Sequence, residues 1–427
     1  MQKMARSWLL DLLCTPYIYM LAFLTLLLGF EASSLLAGQG SYFSGATSFF
    51  GRAPKSDECP AYFCNIFDDL EPWFAKGGIT MEDINADPEA VTMKIQILNG
   101  TLYWRWTGGC SFTRTSFTLW AIMMLLERYP GQVPDVLFNV CCHDDPAVPA
   151  EKWANNASAI PPIFSMCSSE DHLDLVWPDW SFWGWPELRI PEWRTKSAQI
   201  LGGKGRRTPL GKREPRAFWK GNAFTGRGPN QGLRQQLVGC SEPPGYENGI
   251  EAVNIFWDDE INKTETRLEE QCDHRYRIYA EGNTWSCSLK YALACASAAL
   301  VIDPVYWDFY SRGLEPFRDF IPIERGDNMC DRLEMAVWWG DKHLQQATSI
   351  GEAAAHFIES SLSMERVYDY MLHSLRVYSA LQTFAPVKEP ALNPLLTKAF
   401  YVERPPFEKE FMEWEERASE SPCRLKC

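Results

Sequence analysis

The run YRIYAEGNTWSCSLKYALACASAALVI, Tyr276 to Ile302, changes periodicity twice. Tyr276 to Ala280 reads as a short strand. From Ser286 onward Leu289, Leu293 and Ala296 fall at helical spacing, and Ala299 to Ile302 is a second apolar run. Glu-Gly-Asn-Thr interrupts the first two, so the order predicted is strand, glycine loop, helix, strand. In a parallel α/β sheet such a loop lies at the carboxyl end of a strand. There the free N–H groups of the helix start favour an anion.

The same order occurs upstream in AFWKGNAFTGRGPNQGLRQQL, Ala217 to Leu237: a short apolar strand, a Lys-Gly-Asn loop, then Arg234 within a helical pattern. Two such units predict a Rossmann-like domain over 213–364. Ahead of it, 58–200 is expected to form another α/β domain, with a helix over Thr118–Arg128 and a strand over Asp135–Val140 that ends in CCHDDP. A Trp- and Pro-dense block, VWPDWSFWGWPELRIPEW, follows from Val176. The final segment, 365–427, begins in an amphipathic helix with Val367, Met371, Leu375, Tyr378 and Leu381 on one face.

With 427 residues and 46% hydrophobic content, the chain can bury two cores of ordinary size. A net charge of −14 argues against a nucleic-acid partner. Between Arg194 and Arg234, however, eleven basic residues stand against the single acid Glu214, which reads as a local positive field; the Gly- and Pro-containing piece GGKGRRTPLGKR reads as a solvated linker. Eighteen Trp residues suit either packing or the flat faces of sugars.

At the amino terminus Lys3 and Arg6 precede an apolar segment, Trp8 to Phe30. It is read as an uncleaved signal anchor over 8–30, with a cytoplasmic tail over 1–7 and a stem over 31–57; a cleaved signal peptide is the alternative. Fourteen Cys, with close pairs Cys59/Cys64 and Cys423/Cys427, and sequons at Asn99, Asn156 and Asn262, agree with a lumenal chain. Cys295, on the apolar face of its helix, also reads as a small core residue. No pair of cysteines has zinc spacing, and HDDP lacks the gap of a metal-binding Asp-x-Asp, so no metal is expected.

Taken in order, DDPAV, PDWSFWGWPE, FWKGN with RQQLVGC, YAEGNTWSCSLKYALACAS and DFYSRGLEPFRDFIPI resemble glycosyltransferase family 90. That family includes the Rumi-type protein O-glucosyltransferases and the capsule-associated xylosyltransferases, and the wording is nearest its plant-like branch. The resemblance implies a GT-B architecture, two Rossmann-like domains facing across a cleft, with the acceptor side on the first and UDP on the second. It also implies inverting, metal-free transfer of glucose or xylose from a UDP-sugar to a hydroxyl of a protein or glycan in the Golgi or endoplasmic reticulum.

On this reading Asp144 of Asp144-Asp145-Pro146 matches the family's general base; Asp145 stands where relatives carry Arg or an aromatic residue, so the match can slip by one. A turn rich in Asp is the structural alternative. The anion at the glycine loop becomes the diphosphate of UDP. A metal-free transferase offsets that charge with cations, hydroxyls and backbone donors. Lys220, Gly221, Asn222, Arg234, Gly282, Ser286, Ser288 and Lys290 are the expected donor-binding residues, although animal relatives have Arg where this chain has Ser288, and Lys290 also reads as a helix-surface residue. Asp179, Trp180, Ser181, Phe182, Trp183, Asp308 and Phe309 are expected around the sugar or acceptor, with aromatic packing the alternative for Trp183. A lumenal carbohydrate- or nucleotide-sugar-binding protein without turnover is the reading from another class.

Overall fold

Strands such as Val136–Cys141 and Ala298–Ile302 are mostly apolar and buried on both faces, and the strands assemble into two sheets. The computed structural model describes residues 58–110, 113–156, 159–241, 249–255, 267–412 and 421–427, which lie in one compact unit, Lys55–Cys427. The expected tail, anchor and stem, and the sequon at Asn262, fall outside the described residues. Among the described residues no helix is long and apolar enough to cross a membrane.

The first sheet contains β1 (Met93–Leu98), β2 (Thr101–Trp106), β3 (Val136–Cys141), β4 (Ile163–Ser165) and β5 (Leu175–Val176). The second contains β6 (Glu214–Gly221), β7 (Ile250–Asn254), β8 (His274–Tyr279), β9 (Ala298–Ile302) and β10 (Ile321–Ile323), while β11 (Asn393–Leu395) returns to the first. The first sheet has the order β11-β2-β1-β3-β4-β5. Only β3, β4 and β5 run parallel; β11, β2, β1 and β3 pair antiparallel. The antiparallel part departs from a Rossmann-like expectation, and its cause is local. Asn99 and Gly100, at φ 49° and 71°, make the tight turn of the β1–β2 hairpin, the short-range hairpin signal that also opens a glycosylation sequon.

All pairings in the second sheet are parallel, in the order β10-β9-β8-β6-β7. Numbered from its first strand this is 2-1-3-4-5 read from the other edge, a doubly wound order whose switch point lies between β6 and β8. Ligands of such sheets bind outside the carboxyl ends of the strands at that point. Both quoted glycine loops leave from there.

Six helices position the site: α1 (Arg114–Arg128), α2 (Leu233–Gly239), α3 (Leu289–Ala294), α4 (Met329–Lys342), α5 (Leu344–Ser361) and α6 (Met364–Leu381). Helix α1 starts at Arg114 rather than Thr118, and α3 at Leu289 rather than near Ser286, because Ser286 to Ser288 form the turn that leads into it. One apolar cluster packs Trp219, Ile278 and Leu300 beneath Leu237 of α2 and Leu333 of α4. On the other face Tyr279, Ala299 and Val301 join α3 and α5 in a second cluster that continues into the first sheet. The two sheets therefore share a core. Helix α6 lies against the first sheet: Gln382, its C-cap, donates to Leu137 O of β3, and Tyr129 donates to Asp369 at 2.5 Å.

Five disulfides form: Cys59–Cys423, Cys64–Cys427, Cys110–Cys142, Cys240–Cys330 and Cys272–Cys295. The close pairs thus join the first described residues to the last. Cys295 is a disulfide partner, which corrects its reading as a plain core residue. The basic segment is likewise corrected. Arg194 pairs with Glu365, Lys196 with Glu269, Arg206 with Glu352 and Arg216 with Glu251, while buried Arg213 donates to Thr208 O, Cys295 O and Ser297 Oγ. Partners distant in sequence offset part of the expected field, and the expected linker is folded into short helices.

Candidate active site

Strand β3 ends at Cys141, and the loop that follows is held at both sides. Cys142 is disulfide-bonded to Cys110 and its N–H donates to Thr92 Oγ1 at 3.0 Å. Beyond it, Ala147 N and Val148 N donate to Asp174 at 2.6 and 2.9 Å, and Ser165 Oγ donates to the same carboxylate at 2.5 Å. Burial pushes the Asp174 carboxyl up to about 6 against these donors. Asp144 stands between the two fixed ends.

Asp144 lies where loops from both sheets meet. Arg114 Nη1 donates to its Oδ1 at 2.5 Å, and Asn283 Nδ2 donates to its Oδ2 at 3.0 Å. Its backbone carbonyl accepts from Thr284 Oγ1 and from Cys167 Sγ. The side chain is 28% exposed, so a hydroxyl can reach it. Asn283 Oδ1 in turn accepts from Gly226 N at 3.2 Å, and Arg227 pairs with the half-exposed Asp145 at 2.5 Å. Gly226 is obligatory here: at φ 148° a Cβ would lie 2.4 Å from Asn230 O. The loops after β3, β6 and β8 therefore converge on one carboxylate.

The expected donor-binding residues divide into two groups. Lys220, Asn222, Ser286 and Ser288 are half-buried at the carboxyl ends of β6 and β8. Ser286 Oγ and Ser288 Oγ lie 2.9 Å apart, and Ser286 N donates to Tyr279 Oη. Arg234 and Lys290 are instead turned inward. Arg234 donates to Glu281 O at 2.8 Å, Ala280 O at 3.1 Å and Asn222 O at 3.3 Å, stacks 5.5 Å from the Trp219 ring, and burial lowers its pKa to about 10. It ties the two glycine loops together. At Gly221 and Gly282 the protein itself fills the side-chain direction, since a Cβ would meet the Trp219 ring at 2.6 Å and Arg234 Nη2 at 3.2 Å.

Lys290 is buried, donates to Ser181 Oγ at 2.6 Å and lies 3.9 Å from Asp179 Oδ2. Burial is the largest influence and opposes its charge, yet Asp179, Tyr291, Cys287 and Asp308 together hold its pKa above the ordinary lysine value. This geometry corrects both its phosphate reading and its surface reading. The sugar-pocket set is corrected in the same way: Asp179, Trp180, Ser181, Phe182, Trp183, Asp308 and Phe309 are all buried, none more than 5% exposed. Asp179 caps the short helix Trp180–Phe182 by accepting from Ser181 N, and Trp183 Nε1 donates to Tyr368. Asp308, pushed up to about 6 by burial, accepts from Tyr310 N and Ser311 N. These residues are packed into the interior.

Sequence reading missed Arg114, Asn283 and the Glu281–Arg325 pair. Glu281, wholly buried, accepts from Val305 N at 3.1 Å, Tyr306 N at 2.8 Å and Arg325 Nη2 at 2.6 Å; burial raises its pKa against those donors. Arg325 also donates to Asp303 O, Pro229 O and Asn230 Oδ1, joining the ends of β6, β8 and β9. A signal existed for Arg114, a cation in the first turn of a helix where the dipole disfavours one. Among the described residues the sole cluster with metal-ligand types is Cys59, His373 and Cys423. Its two sulfurs form a disulfide and His373 bonds Cys423 O at 2.9 Å, so the set offers no thiolate ligand.

Known proteins are similar to this chain in sequence. Bovine protein O-glucosyltransferase 1 is 23% identical over 368 residues, covering 82% of this chain and 87% of that protein. The O-glucosyltransferase rumi homolog of Anopheles gambiae is 25% identical over 343 residues, 77% of this chain and 80% of its own length. Human protein O-glucosyltransferase 3 is 25% identical over 337 residues, 74% and 62% respectively. The model of glycosyl transferase family 90 matches residues 54–427, and with that extent of match the chain belongs to this family, among relatives of the Rumi type.

Proposed function

We propose that this protein is an inverting, metal-independent glycosyltransferase of GT-B arrangement, moving glucose or xylose from a UDP-sugar to a hydroxyl of a protein or glycan. The observation that carries the reading is the position of Asp144, reachable from solvent, where the carboxyl end of β3 meets the β6/β8 switch point. There a base on one wall faces a nucleotide-type crevice on the other. Asp144 removes the acceptor proton as the anomeric carbon is attacked from the side opposite the diphosphate. Asn283, a neutral partner, is the group an acceptor hydroxyl displaces.

Lys220, Asn222, Ser286 and Ser288 face the diphosphate. Helix α3 has only six residues, so hydroxyls and loop N–H groups carry more of that work than a helix dipole. The names of the relatives favour glucose as the sugar and a protein as the acceptor. Metal independence is supported by the chemistry of the crevice, where both carboxylates of the Asp144-Asp145 pair already hold arginines. Five disulfides suit an oxidising lumen, in keeping with a type II protein anchored through 8–30 in the Golgi or endoplasmic reticulum membrane.

The test measures UDP release by the full chain from UDP-glucose and UDP-xylose with chelator present, wild type beside Asp144→Asn. The expected result is metal-free release from one sugar, reduced about 10²-fold or more in the variant. Equal turnover by the variant would refute the base assignment. A chain that binds UDP but turns over no sugar would instead be the binding protein of the alternative reading.

A further inference from the structure

We infer that Arg114, stacked on Trp180, is the positioning residue for Asp144 and that the PDWSFW segment exists to hold this stack. The inference rests on reading Asp144 as the base. Arg114 begins α1, where the helix dipole repels a cation, so its place needs a compensating anion. Asp144 supplies it at 2.5 Å, and the guanidinium carbon lies 4.0 Å from the centre of the Trp180 ring. An arginine on an aromatic face loses little freedom on pairing, because its planar fork is already oriented.

The support beneath the ring is layered. Asp179 caps the Trp180–Phe182 turn, Ser181 accepts from Lys290, and Lys290 sits 4.3 Å from the Phe182 ring. Trp180 also meets Trp285 edge-on at 6.2 Å, next to Thr284, which donates to Asp144 O. The start of α1 is fixed independently, with Thr113 N and Oγ1 donating to Glu187 at 3.0 and 2.9 Å. Buried residues that look like a sugar pocket thus orient one carboxylate through one arginine. Donor chemistry does not require Arg114, whose described polar contact is with the base.

The charged and titratable groups around Asp144 are Arg114 from α1, His143 and Asp145 from its own loop, Arg227 from the β6 loop, Glu281 with Arg325 behind the β8 loop, and Cys167 and His172 after β4. Of these, Arg114 alone is shown in ion-pair contact with the Asp144 carboxylate, so its loss has a distinct signature. The test compares Arg114→Gln and Arg114→Lys in the full chain by kcat and KM for the UDP-sugar, the melting temperature, and the melting shift produced by UDP.

In Arg114→Gln, kcat is expected to fall about tenfold or more, as in other losses of positioning, with KM for the UDP-sugar unchanged. The UDP shift should be unchanged. Arg114→Lys, which keeps charge without the fork, should lower kcat less than Arg114→Gln does. An unchanged kcat in Arg114→Gln, a raised KM for the UDP-sugar, or loss of the UDP shift overturns the inference; the last would make Arg114 a donor ligand. If Arg114→Gln does not fold, Arg114→Lys decides alone, and an unchanged kcat overturns the proposal. Failure of the base reading is separate, since it shows in Asp144→Asn alone.

Discussion

Replacing Arg325 by Met leaves Glu281 as a wholly buried carboxylate with two backbone donors and no cation. Removing one partner of a buried ion pair costs about 3–5 kcal/mol. Arg325 is itself 18% exposed, so the lower part of that range, about 3 kcal/mol, applies. The carbonyls of Asp303 and Pro229 and the Asn230 side chain also lose a donor, which adds about 1 kcal/mol. For a unit of this size the unfolding entropy is about 0.8 kcal/mol per kelvin, so the melting temperature should fall about 5 °C.

The control is Glu281→Gln combined with Arg325→Met. The double variant removes the stranded charge and leaves one imperfect amide contact, so it should recover most of the loss, to within about 1–2 kcal/mol of wild type. Thermal unfolding and chemical denaturation measure all three differences. A loss under 1 °C in the single variant, or a double variant as unstable as the single one, would refute the idea that this pair holds the crevice loops.

Two further outcomes follow from the buried charges. Lys290→Met should destabilise by about 3 kcal/mol, because Asp179 is left buried without its cation, yet preserve the melting shift produced by UDP; the reverse pattern would restore a phosphate role. Asp308 is held near 6, above its value in the unfolded chain, so the folded state binds the extra proton and stability falls as pH rises from about 4 through 6. His172, His274 and His373 are lowered by burial and act in the opposite direction below their ordinary value. Asp308→Asn should flatten the pH dependence of the melting temperature over 4–6 relative to wild type, and an identical curve would remove the assignment.

The periodicity of Tyr276–Ile302 was enough to place a strand, a loop, a helix and a strand, because each period reports which face is buried. The order HDDP after an apolar strand likewise put an aspartate at a carboxyl strand end. The hairpin was legible too in Asn99-Gly100, had the pair been read as a turn. Composition could not separate the Trp-rich block's two meanings: Trp180 and Phe182 have the same apolar faces whether they stack on a sugar or on Arg114 and Lys290.

What the sequence by itself determined is therefore local. It specified the elements around the two glycine loops, the aspartate that follows β3, and the family to which those motifs belong. The partners of each charge were decided by the tertiary structure alone. Arg114 and Asp144 are 30 residues apart, Asn283 and Asp144 139, and Lys290 and Ser181 109. A cation's role depends on what it faces and how dry that place is, and chain spacing carries neither quantity. That is why Lys290 and Arg234, which looked like phosphate ligands, fold inward, while Arg114 comes to rest on Asp144.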